Sequence, residues 1–581
     1  MFSGVSARMA LSNFGKQLKR SDMKRLLFLL LTILPMANSY SAYLPPASGN
    51  NDMVVTAQRL ATEVGVNILK KGGNAIDAAV AVGYALSVVQ PCCGNIGGGG
   101  FMLIHLSKGK NVFLDFREKA PAKISKKLKP GISHGYSTVG VPGTVMGLDT
   151  ALKLYGTMPL KQVIAPAIDL AEKGFILTKA DINYLDYGAE TFKQSPNASL
   201  IFLKNGKPYQ PGDRLIQMDL GKTLEEISKG GTDAFYHGRI AREIATASKA
   251  YGGTITLKDL ADYSVVVTHP IQCEYRGYQI ISAPPPGSGV TVCEILNIVS
   301  GYPIGALGFH SAMTTHYNVE AMRYAFADRN RYLGDPDFVK NPVRKLLSSI
   351  YADKIRKKIN RLKAGNSRPP GELMRPHNTT HFVVIDKKGN AVSLTYTLNR
   401  FFGSGVIAGN TGFFLNDELN DFTLSFGVPN IYKLTQGKSN LIKPNKRPLS
   451  AMSPTFVMKN HKLYMALGAA GGPTIITTVV QIIENVLDFD MNVNVAVNMP
   501  RYHMQWLPDV VYMEPFVFSQ DTLKILHGMG YKTKLGFYNE TIWGQAAAVL
   551  IDPKTGILYG AADNSRPTGA AMGIEAHDDK D

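Results

Sequence analysis

The chain has 581 residues, 45% hydrophobic and 19% charged, with a mean hydropathy of −0.04. That balance excludes disorder as a description of the whole and leaves ample apolar material for a large core. A formal charge of +18 raises nucleic-acid binding, but the basic residues gather in the leader and in two runs, Lys108–Lys129 and Asp353–Arg375, that lack the interleaved aromatics of a stacking platform; they read as solvated faces or contacts to acidic surfaces, with no nucleic-acid partner.

Lys16, Lys19, Arg20, Lys24 and Arg25 precede the apolar run "LLFLLLTILPMA" (Leu26–Ala37) and the small residues of "ANSYSA". That order is a secretory signal peptide, and a run of about 12 apolar residues is too short to span a bilayer. Residues 1–41 are expected to be removed, with the mature chain starting near Tyr40 or Ala42 and no stable membrane span after removal. Met1 and Met23 both serve as starts, because "MKRLLFLLL" is itself complete; an uncleaved anchor is the alternative. Length alone suggests roughly three or four domains. No Pro/Ser/Gly-rich linker divides the chain, so one large layered domain is expected.

In chain order, a helix is expected over Ala57–Lys71, stopped by Gly72-Gly73, and a small-residue helix over Ala75–Val89. Cys92 and Cys93 follow. With Cys273 and Cys293 they form neither a disulfide scaffold nor a zinc-site spacing; the adjacent pair is not expected to bond to itself, burial as small hydrophobes is, and any bridge would be incidental. "GNIGGGGFMLIHL" is a tight glycine turn into a strand, without the Lys-Ser/Thr pair of a phosphate loop. "NVFLDFREKAP" gives a strand with Arg117 near its end. Helical segments dominate from about Gly143 to Arg361. The character then changes to strands at "THFVVID", "AVSLTYTL", "PTFVMKN" and "LYMALGAA", followed by a helical pair at "PTIITTVVQIIENVLDF". This is an α+β layered protein with mainly antiparallel sheet covered by helices on both sides.

"DKKGN" supports a three-residue hairpin loop, Lys387-Lys388-Gly389, with Gly389 in the left-handed conformation. Pairing Asp386 with Asn390 then sets Val384 opposite Val392, Phe382 opposite Leu394 and Thr379 opposite Thr397, close enough for two hydroxyls to hydrogen-bond. A shift of one residue would put Thr380 there instead. A bland Thr–Thr cross-strand pair accounts for this equally, except that the basic, proline-containing stretch before Thr379 can be severed without unravelling an element. A threonine freed at its nitrogen carries its own base, an α-amino group with a pKa of about 8, and needs no histidine. No Ser/His/Asp or Cys/His arrangement is evident, "FGSGV" lacks the context of a nucleophile elbow, and His381 reads as structural.

The motifs "GGNAIDAAVAVGYAL", "GNIGGGGFML", "LDFREKAP", "ADRNRYLGDPDF", "TTHFVVID", "VSLTYTLN", "NDELNDF", "PNKRPLSAMSPT" and "AAGGPTIIT", in that order from about Asp52 onward, make the chain resemble the γ-glutamyltranspeptidases of the N-terminal-nucleophile hydrolase superfamily. The resemblance implies a four-layer αββα sandwich made as one precursor. It would cleave itself between Asn378 and Thr379 into a large subunit (42–378) and a small one (379–581), interleaved in one fold. It implies Thr379 as nucleophile, Thr397 as its hydrogen-bond partner, and Gly471 and Gly472 as the oxyanion hole. Arg117 and Ser450 would hold the substrate carboxylate, Asn399, Glu418 and Asp421 its amino group, and Tyr432 would gate a lid loop. Glutathione and other γ-glutamyl compounds would be the donors, water, amino acids or dipeptides the acceptors, and the periplasm the expected location. No metal or organic cofactor is implied. The chain departs from the pattern at Ala451, where a second serine is usual, and its glycine loop reads "GAAGGPT". The competing readings are an amidase for glutaryl or poly-γ-glutamyl groups and an exported binding protein that is never cleaved.

Overall fold

The computed structural model describes residues 45–367, 379–536, 543–565 and 567–575. The expected signal peptide and Asn378 lie outside the described residues. Two seven-stranded antiparallel sheets face each other. The first runs, edge to edge, Ala570–Ile574, Asp52–Thr56, Thr380–Ile385, Ala391–Thr397, Gly99–His105, Asn111–Phe116 and Val266–Thr268; the second runs Ala47–Gly49, Leu558–Ala562, Gln545–Ile551, Lys462–Ala470, Thr455–Lys459, Tyr278–Ser282 and Ile271–Tyr275. Helices Arg59–Lys70, Ala75–Val89 and Thr144–Tyr155 cover the first sheet, and Gly289–Val299 and Thr474–Leu487 cover the second. These are the four layers, and Pro46–Asp581 clusters as one unit rather than three or four. Both sheets combine segments from before residue 368 with segments from after residue 378.

Period-two side-chain alternation divides each central strand between two buried faces. In Thr380–Ile385, Phe382 and Val384 enter the core under the first helical layer, whereas Val383 and Ile385 enter the core between the sheets. The neighbouring strand behaves alike, with Val392, Leu394 and Tyr396 outward and Ala391 inward. Both faces are buried; Ser393, Thr395 and Thr397 share the inward face with Ala391, and there the Ser393 hydroxyl donates to the Leu467 carbonyl at 3.0 Å and Thr395 meets His381 at 2.8 Å.

The hairpin has the expected register: Val384 pairs with Val392, Phe382 with Leu394 and Thr380 with Tyr396. Gly389 has φ +84°, and the Asp386 N–H donates to the Asn390 carbonyl at 3.0 Å. The expected helices are Arg59–Lys70, capped by the Gln58 side chain, and Ala75–Val89, capped by Asn74 and Asp77. The glycine run serves close packing: a Cβ on Gly98 would stand 1.8 Å from the Thr397 carbonyl oxygen.

Three expectations need correction. Cys92 is bonded to Cys93, and Cys273 to Cys293, although all four are buried as expected. The stretch after the last expected strand is a single helix, Thr474–Leu487, with the second helix (Val493–Asn498) beyond it, because an unbroken apolar face supports continuous packing on the sheet. The helical middle also holds strands: four of two residues each, and Val266–Thr268, Ile271–Tyr275 and Tyr278–Ser282, which join the two main sheets; Arg276 and Gly277, both at positive φ, turn the last two into a hairpin.

Candidate active site

The open end of the central hairpin lies at the edge of the inter-sheet core. Thr379 is the residue before the strand, and alternation puts it on the same face as His381 and Val383, facing the second sheet. Its hydroxyl lies 3.3 Å from that of Thr397, and both side chains are buried. The Thr397 hydroxyl oxygen also accepts from the Asn399 N–H at 2.7 Å, which stabilises Asn399 at φ +81°. Thr380 points to the opposite face, where its hydroxyl donates to Gln90 Oε1 at 2.8 Å. The alternate register is therefore excluded.

His381 is 2.8 Å from the Thr395 hydroxyl and enclosed by the second sheet, where a Cβ on Gly468 would stand 2.3 Å from its ring. Burial pulls its pKa down to about 3, so the ring is neutral at working pH. This is a packed, uncharged histidine, as the sequence suggested.

Thr379 and Thr397 open onto a small cavity whose wall also carries Arg117, Arg329, Glu418, Asp421, Tyr432, Ser450, Ala451 and Gly472. Arg117 is set by the end of strand Asn111–Phe116 and is buried. Its guanidinium meets Glu418 at 2.5 Å, Asp421 at 2.5 Å and Glu118 at 3.3 Å. Burial works against the Arg117 charge, but Glu418, Glu118 and Asp421 outweigh it and hold the group above its ordinary value. Burial pushes Glu418 well above the carboxylate range and Glu118 up to about 7, in each case against Arg117. Three carboxylates within reach of one guanidinium cannot all stay ionised out of water.

Glu418 and Asp421 reach this point on a short 3₁₀ turn (Glu418–Asp421). The turn is tied to the hairpin by the Asp417 N–H donating to the Leu398 carbonyl and by the ion pair of Arg400 Nε with Asp417 Oδ2 at 2.6 Å. Asn399 donates from Nδ2 to the Asp417 carbonyl at 3.1 Å, and its Oδ1 accepts from the Tyr432 hydroxyl. Tyr432 is buried, and its loop is pinned over the cavity by Gln505 Nε2 donating to the Tyr432 carbonyl at 3.0 Å. Gly471 and Gly472, both at positive φ, turn the end of strand Lys462–Ala470 into helix Thr474–Leu487, so a helix N-terminus abuts the cavity. Ser450 accepts from the Met452 N–H at 3.2 Å; Ala451 is the neighbouring wall residue and brings no hydroxyl.

The expected site residues of the described chain thus converge on one place; Gly471 and Asn399 do not line the cavity themselves, but Gly471 adjoins Gly472 in the chain and Asn399 is hydrogen-bonded to Thr397 and Tyr432. Sequence reasoning missed two residues there. Glu118 was readable only as a surface partner of Arg117. Arg329, inside the motif "ADRNRY", sits fully buried on the long helix Ala312–Tyr332, more than forty residues from the other site segments. Burial lowers its pKa to about 10, against the opposing effect of Asp421.

A four-layer αββα sandwich with a threonine at the start of a central strand, facing the inter-sheet cavity, is the architecture of the N-terminal-nucleophile hydrolases. The family model for gamma-glutamyltranspeptidase matches residues 61–573, and the chain belongs to that family. It is 50% identical over 569 residues to a glutathione hydrolase proenzyme of Pseudomonas sp. (strain A14), covering 94% of this chain and 98% of that protein. It is 46% identical over 535 residues to the glutathione hydrolase proenzyme of Escherichia coli (strain K12), covering 89% and 91%. Among solved structures, cephalosporin acylase from Bacillus halodurans superposes with a TM-score of 0.83 at 30% identity, covering 94% of this chain and 99% of that one. Among the described residues no helix is long and apolar enough to cross a membrane.

Proposed function

We propose that the chain is an exported, periplasmic γ-glutamyltransferase and glutathione hydrolase, made as a precursor that severs its own Asn378–Thr379 bond. The observation that carries this reading is the Thr379 hydroxyl, paired with Thr397, opening onto a cavity that offers both charge signs. A γ-glutamyl head carries an ammonium and a carboxylate, and Glu418 and Asp421 suit the first while Arg117 and Ser450 suit the second. The family's chemistry runs through a threonine nucleophile, and Thr379 is the residue that matches it.

The Thr379 hydroxyl oxygen attacks the γ-carbonyl carbon while its proton passes to the freed α-amino group. The resulting oxyanion is met by the backbone N–H groups of the Gly471-Gly472 turn, helped by the helix N-terminus behind it. The C–N bond then breaks, the leaving amine takes the proton, and an ester remains on Thr379. Water or the amine of an acceptor amino acid or dipeptide attacks that ester and returns the proton to the Thr379 oxygen. Tyr432, held down on Asn399, shields the ester from bulk water. No step calls for a metal or organic cofactor. The large subunit (42–378) and small subunit (379–581) stay together because strands of both are hydrogen-bonded side by side in each sheet.

Electrophoresis of purified protein and an assay for cysteinylglycine released from glutathione test the two halves of this reading. Two fragments and cysteinylglycine are expected from the native chain, and neither from Thr379→Ala. A full-length band that persists on incubation refutes the self-cleavage. Ala451 and the likeness to a cephalosporin acylase favour a second reading, an amidase for glutaryl or poly-γ-glutamyl groups; fully processed protein that releases no cysteinylglycine would establish it over the first.

A further inference from the structure

Arg117, the expected anchor for a substrate carboxylate, is engaged by three carboxylates, Glu118, Glu418 and Asp421. Arg329 lines the same cavity in a different state. It is 1% exposed, and its Nε donates to Ser288 Oγ at 2.8 Å and its Nη1 to Asn330 Oδ1 at 3.2 Å. Both partners are neutral, and among the described residues no carboxylate stands within ion-pair distance of it. A guanidinium has five N–H donors, so these contacts leave donors for a ligand. A cation withdrawn from water without a counter-ion is costly, and an anion entering the cavity beside it relieves that cost. Ser288 also ties Arg329 to the specificity wall, since its hydroxyl donates to the Ser450 carbonyl at 2.6 Å. In this chain that wall lacks a hydroxyl at Ala451, which leaves more of the recognition of an anion to a cation.

We propose that Arg329 is a carboxylate-selecting residue of the donor site, the cation that a γ-glutamyl or glutaryl carboxylate meets in addition to Arg117. This rests on the reading of the cavity as the acyl-donor site. Arg329 contacts the ligand's acid group and takes no part in bond making.

The test compares the native chain with Arg329→Gln and Arg329→Lys on three anilides: γ-glutamyl, glutaryl, which lacks the amino group, and 4-aminobutyryl, which lacks the carboxylate. Loss of a charged hydrogen bond in Arg329→Gln is expected to reduce the kcat/KM preference for γ-glutamyl over 4-aminobutyryl anilide roughly 10- to 100-fold, mainly through KM, and to raise KM for the glutaryl anilide similarly. Arg329→Lys should recover part of the preference, because charge without the planar fork is retained. A merely structural role would weaken all three substrates alike, and an unchanged preference in Arg329→Gln overturns the proposal. Calorimetric binding of free glutamate against 4-aminobutyrate reads the same selectivity without turnover: a native chain that binds glutamate but cleaves no anilide refutes the proposed activity alone, whereas equal loss of both ligands in Arg329→Gln, or loss of neither, refutes the role of Arg329. Two bands of normal proportion on a gel confirm that the variant has folded and matured.

Discussion

The Thr397 hydroxyl has two tasks that one substitution removes together. It faces the Thr379 hydroxyl at 3.3 Å and accepts the Asn399 N–H at 2.7 Å. Thr397→Val keeps the β-branched shape that the strand packs around and deletes only the oxygen. The buried Asn399 N–H is then orphaned, at a cost of about 1–3 kcal/mol that falls on the left-handed turn at φ +81°. The Thr379 oxygen loses a partner as charge moves through it, and a hydrogen bond to a charged group contributes about 1.5–3 kcal/mol. At about 1.4 kcal/mol per decade, kcat should fall roughly 10- to 100-fold. The assay is single-turnover acylation with γ-glutamyl p-nitroanilide, read beside the denaturant midpoint, which should also fall. Thr397→Ser should restore both. Acylation within about threefold of native in a folded, processed Thr397→Val protein would refute the reasoning, since the hydroxyl would then contribute less than a neutral hydrogen bond.

A methyl group at Gly472 would stand 2.5 Å from Cε1 of Tyr432, at a φ of +60° that L residues resist. Gly472→Ala should therefore displace the Tyr432 ring from Asn399 and lower kcat; in a double-mutant cycle with Tyr432→Ala the two losses should fail to add by about 0.5–3 kcal/mol, and strict additivity would show that the ring and the turn are independent. His381 titrates near 6.5 when unfolded and, through burial, at about 3 when folded, so the unfolded state binds the extra proton between those values and stability falls as pH drops below about 6.5. Denaturant titrations at several pH values should show this slope shallower in His381→Gln by up to about 1.4 kcal/mol per pH unit. An identical slope would mean that the ring is not buried uncharged.

Much of the site was legible because local chemistry specifies it. The "KKG" loop and strict period-two alternation set the hairpin register, and that register alone places Thr379 against Thr397 and turns Thr380 to the other face. The order of motifs carried the layered architecture and the family. The hairpin around Arg276 and Gly277 was also within reach, since a two-residue turn lies between two β-rich runs, but the helices on either side masked it.

What the sequence could not determine depends on separations of tens to hundreds of residues closing to a few ångströms. That Arg117 meets Glu418 and Asp421, some three hundred residues on, and that Arg329 joins them from a helix packed on Gly289–Val299, follows from how the chain is assembled around the cavity. The bond between Cys92 and Cys93 is the exception in being local: it depends on a backbone geometry that spacing does not encode. Sequence thus determined the hairpin and narrowed the hydroxyl opposite Thr397 to Thr379 or Thr380, because hairpin pairing is local, and the structure selected Thr379. Only the tertiary structure decided which charges surround that hydroxyl, because a buried ion has no sequence signature until its surroundings are assembled.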